Sequence, residues 1–72
     1  MANRTPLTRF SLANEGNRLA IAFGGSESMV TVVEHVDDKV RGRGIRVLYA
    51  DQSSGLLFDG EMSDGERVEV VH

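Results

Sequence analysis

At 72 residues the chain is too short for two domains, and 40% hydrophobic with 26% charged residues excludes the disordered and fibrous classes. It has no cysteine, which excludes a disulfide framework and a thiolate zinc site. The net charge of −3 hides a lopsided distribution: Lys39, Arg41, Arg43 and Arg46 cluster, while residues 51–72 hold six acids against Arg67.

A domain this small buries a thin core, so without such staples a partner subunit is the expected supplement. One globular domain is expected over 1–72, with residues 1–6 as a loose tail. The first ten residues lack the apolar run of a signal peptide, and no stretch approaches the roughly 18 apolar residues of a membrane span. The sequence therefore reads as cytoplasmic, without a membrane.

In chain order, Phe10 and Leu12 alternate with polar neighbours, as do Leu19, Ile21 and Phe23 with Arg18, Ala20 and Ala22. Asn14-Glu15-Gly16-Asn17 supplies turn chemistry between them. The expected hairpin sets Leu12 opposite Leu19 and Phe10 opposite Ile21.

Over residues 27–41 two principles disagree. Val30, Thr31, Val32, Val33, Val36 and Val40 favour a strand by propensity. Met29, Val32, Val33, Val36 and Val40 instead follow helical spacing, with Ser26 as N-cap, Lys39 and Arg41 in the last turn and Gly42 just beyond. The caps and spacing together predict a helix.

Beyond it, Ile45, Val47 and Tyr49, then Leu56 and Phe58, then Val68 and Val70 alternate as three strands. Turns fall at Asp51 to Gly55 and at Ser63-Asp64-Gly65, the latter a three-residue loop with Gly65 left-handed. An even-length loop after Ala50 places Val47 with Phe58 and Val70 on one face and Leu48, Leu57 and Val71 on the other. The expected fold is α+β: a two-layer ββαβββ arrangement, with a five-stranded, mostly antiparallel sheet whose apolar face is covered by the helix. The alternative is an all-β, six-stranded small barrel.

The catalytic inventory is poor. Ser26 or Ser28, His35 and Asp37 or Asp38 make a nucleophilic set only on paper, because no nucleophile elbow accompanies them. On a helix Glu34 and Asp38 lie one turn apart beside His35, but a solvated polar face explains them better than a cation site. Gly24-Gly25-Ser26 leads from strand to helix as an anion-binding turn does, yet no phosphate-loop pattern is present. No catalytic residue, metal or cofactor is expected.

Two interaction readings remain. The row Leu48, Leu57, Val71, rimmed by charges that include Arg46 and Arg67, looks like a protein-binding strip. It points to a non-enzymatic interaction module, either a homo-oligomer or an accessory subunit. The alternative is a nucleic-acid-binding regulator gripping phosphates through Arg41, Arg43 and Arg46. A net acidic chain and the single nearby aromatic, Tyr49, count against it.

Overall fold

The computed structural model describes residues 3–72. Gly24 and Gly25 take φ values of 60° and 86°, a left-handed pair that closes the two-residue hairpin best matched to strand twist. The turn joins β2 (Arg18–Phe23) to β3 (Ser26–Asp38), with Phe23 opposite Ser26 and Leu19 opposite Val30. No helix N-terminus follows Ser26. The helix expected over 27–41, and the α+β architecture with it, is overturned by this 13-residue strand.

The physical reason lies at Val33. The register of β3 against β4 (Gly42–Tyr49) shifts between Val32 and Glu34, so Val33 is the extra residue of a β-bulge. Val32 stands opposite the buried Val47, and beyond the bulge His35 stands opposite the buried Ile45. The inward set therefore runs Val30, Val32, His35, Asp37. The helically spaced residues are therefore divided, with Val32 inward, Val33 exposed at the bulge, Val36 opposite Gly44 on the other face and Val40 in the turn, while β-branched side chains keep their preference for a pleated surface.

Strands β1 (Arg4–Leu7), β5 (Ser54–Phe58) and β6 (Arg67–Val71) complete one antiparallel sheet in the order β1-β6-β2-β3-β4-β5. The strand number agrees with the all-β alternative, but β1 and β5 form the two edges, so the sheet is open rather than closed. The tail expected over residues 1–6 gives way to an ordered edge strand from Arg4. Met1 and Ala2 lie outside the described residues.

The first hairpin is also corrected. Phe10–Leu12 is a 3₁₀ turn that places Phe10 and Ala13 in the core with Leu19, Val30, Val32, Ile45, Val47, Val68 and Val70. The Asn14–Asn17 turn forms, with Asn17 N–H donating to Asn14 O at 3.0 Å and Gly16 at φ 87°. It delivers the chain from the 3₁₀ turn to β2, whose two neighbours are β3 and β6.

In the second half the alternation held but the register did not. Tyr49 N–H donates to Ser53 O, so the loop is Ala50-Asp51-Gln52, with Gln52 left-handed at φ 73°. Three loop residues instead of an even number move β5 to the opposite face: Val47 faces Gly55, Ile45 faces Leu57 and Gly44 faces Phe58. A second 3₁₀ turn at Asp59–Glu61 then carries the chain away. Ser63–Glu66 turns with Gly65 left-handed, as expected, but it feeds β6 between β1 and β2 rather than beside β5.

Candidate functional site

One row crosses all six strands on the outer face: Arg4, Val71, Arg18, Thr31, Leu48 and Ser54 stand opposite one another in turn. Leu48 and Val71 thus share a face, with Arg18 and Thr31 between them. Leu57 leaves the expected strip, because it lies opposite Ile45 and packs against the core. Arg67 is opposite Ala22 on β2, away from Leu48. The three-strand apolar strip does not exist as one surface.

The basic cluster is dispersed as well. Arg41 donates from Nε and Nη2 to the two Glu61 oxygens at 2.8 and 2.6 Å, and its guanidinium lies 4.0 Å from the Phe58 ring centre. This fork holds the Glu61 carboxyl below its ordinary range and raises the Arg41 pKa. Arg46 donates to Glu34 at 2.7 Å on the outer face. Arg43 stands opposite Asp37 at the inward end of the β3–β4 pair, where it lines a cleft with Arg9 and His35. Arg43 therefore faces the opposite side of the sheet from Arg46, and both Arg41 and Arg46 already hold carboxylates.

Paper constellations fare no better. Ser28 and His35 are seven positions apart along one strand, roughly 23 Å. Glu34 and His35 point to opposite faces, so the cation reading built on a helix dissolves. No group of three metal-ligating side chains occurs among the described residues. No helix among them is long and apolar enough to cross a membrane.

What residue-type reasoning missed is the contrast between the two sheet edges. The His72 N–H donates to Asn3 O at 2.9 Å, which sets the hydrogen-bond alternation of β1 with β6 and turns Arg4 and Pro6 toward the open side. Pro6 has no N–H to offer there, and Arg4 carries a charge tied to Glu27 at 3.0 Å and Glu69 at 3.6 Å. Both are devices that blunt an edge.

Strand β5 has neither device. The Tyr49–Ser53 bond makes Val47/Gly55 and Ile45/Leu57 the pairs that exchange hydrogen bonds, so Ser54 and Leu56 aim their N–H and C=O groups away from β4. The strand reads Ser-Gly-Leu-Leu-Phe, without proline or charge. Phe58 is only 2% exposed, while Leu56 is 41% exposed. The accessible edge is thus the Ser54–Leu56 half. A charge-free, proline-free strand following a turn was the available sequence signal.

Comparison of the chain with protein-family models, with curated proteins and with solved structures finds no match.

Proposed function

We propose that this chain is a non-catalytic protein-interaction module that self-associates edge to edge through β5. The observation that carries the reading is the unprotected Ser54–Leu56 edge, set against the blunted edge at Pro6 and Arg4. A two-fold axis at Gly55 sets Ser54 of one copy opposite Leu56 of the other. Both residues direct their backbone groups outward, so the pairing is self-complementary and closes as a dimer. Leu48, Arg46 and Leu56 lie beside this axis on the outer face, and the Arg46–Glu34 pair forms part of its polar rim.

Nucleic-acid binding through Arg41, Arg43 and Arg46 is the weaker reading, because Glu61 and Glu34 already occupy two of the three cations.

Sedimentation velocity tests the proposal. Wild type should sediment as a dimer at high micromolar concentration, and Leu56→Lys should sediment as a monomer with an unchanged circular dichroism spectrum. A wild type that is monomeric at that concentration overturns it.

A further inference from the structure

The bulge at Val33 has a second effect, at the opposite end of β4 from the Ala50–Gln52 turn. By advancing the strand one residue it brings His35 and Asp37 to the inward face, where an uninterrupted alternation would have put Glu34 and Val36. Here the 3₁₀ turn approaches, and a cleft of about 380 Å³ opens between Arg9, Ser11 and Leu12 on one side and His35, Asp37 and Arg43 on the other.

Its walls are held from outside. His35 Nε2 donates to Ala13 O at 2.6 Å, the tautomer assigned by that carbonyl acceptor. The Ser11 N–H and hydroxyl both bond the Asp59 carboxylate, the amide at 2.9 Å. A cleft fixed by bonds its own lining does not need to rearrange is preorganised.

The electrostatics of the lining run against the rest of the molecule. The whole chain carries −3, whereas Arg9 and Arg43 against Asp37 leave the cleft one positive charge with His35 neutral. Arg4, Arg41 and Arg46 each grip a carboxylate. Among the described residues neither Arg9 nor Arg43 has an acidic oxygen within 4.0 Å, Asp37 included.

We infer that this cleft binds a small phosphorylated molecule: Arg9 and Arg43 take its phosphate and Leu12 contacts its organic body. Two guanidinium forks match the several oxygens of a phosphate monoester better than the two of a carboxylate. Leu12 is a large apolar side chain left 51% exposed at the rim, and covering it gives the organic part a reason to bind. Asp37 accepts a hydrogen bond from a ligand N–H or O–H and disfavours ligands that present only negative charge. The volume falls at the small end of ligand pockets, which limits the occupant to about the size of a mononucleotide.

Isothermal titration calorimetry with AMP, GMP, glucose 6-phosphate, inorganic phosphate and uncharged adenosine tests this. At least one phosphate ester should saturate, adenosine should bind at least about tenfold more weakly, and Arg9→Ala and Arg43→Ala should each weaken the ester about tenfold or more. Arg43→Lys, which keeps charge but loses the fork, should retain part of the affinity. Arg18→Ala, on the outer face, should change nothing. Both cleft arginines are exposed, and an unchanged circular dichroism spectrum verifies each variant's fold. No saturable binding of any ester, equal binding of adenosine, indifference to Arg9→Ala and Arg43→Ala, or binding of a single-stranded oligonucleotide but of no mononucleotide overturns the inference.

Discussion

Gly44 lies against Phe58 so closely that a side chain cannot stand between them. A Cβ at position 44 would meet the Leu57 carbonyl and come 2.9 Å from both Cα and Cδ1 of Phe58. The missing side chain is what lets the Phe58 ring lie flat on β4, capped by the Arg41 guanidinium 4.0 Å from its centre.

Gly44→Ala should therefore cost about 1–3 kcal/mol through overpacking against backbone that cannot move aside. Gly60→Ala is the matched control, since nothing lies within 4 Å of its Cβ position. Urea midpoints of the two variants measure the difference. Equal midpoints would mean that Phe58 is not seated on Gly44.

Charge placed along β3 should report the bulge. Val32 is 2% exposed and Val33 is 46% exposed, so Val32→Asp should unfold the domain or cost about 3 kcal/mol or more, while Val33→Asp should stay within about 0.5 kcal/mol of wild type. A helix would make Val33 the sensitive position. On β5, Leu57→Glu should likewise destabilise the fold, whereas Leu56→Lys should alter only assembly. Thermal melts of the four variants settle the order.

Acid should weaken the fold through three exposed carboxylates. Asp38 is lowered by accepting the N–H groups of Arg41 and Val40, Asp51 by the Ser53 hydroxyl and amide, and Glu61 by the Arg41 fork. A folded-state pKa below the unfolded value means the unfolded chain takes up protons first, so this contribution is present above the unfolded pKa and lost as pH falls through the folded one. Urea midpoints should hold steady between about pH 7 and 5 and fall below about pH 4. Glu61→Gln and Asp38→Asn should each flatten part of that fall. An acid limb as steep in both variants as in wild type would show that other groups carry it.

Local chemistry was largely legible. Alternating apolar residues marked β2, β4, β5 and β6, and Gly65 and the Asn14–Asn17 segment turn where their residue types said they would, because turn dihedrals are decided within four residues. Gly24-Gly25 reads in sequence as the approach to a helix and is instead a hairpin turn. The helical spacing of Val32, Val33, Val36 and Val40 was misleading, because these valines are divided between the two faces, the bulge and the turn.

Pairing and face were decided only by the tertiary structure. Whether three or four residues loop after Tyr49 reverses every side chain of β5, and nothing local to Asp51 or Gln52 distinguishes the two. Leu57 went inward because Ile45 and the core gain by its burial. Strand β6 left β5 for the space between β1 and β2, where Val68 and Val70 complete the core around Leu19. Those outcomes depend on summed burial across strands far apart in sequence, and so do the two features that matter most for function: an open edge at Ser54–Leu56 and a cleft at Arg9, His35 and Arg43.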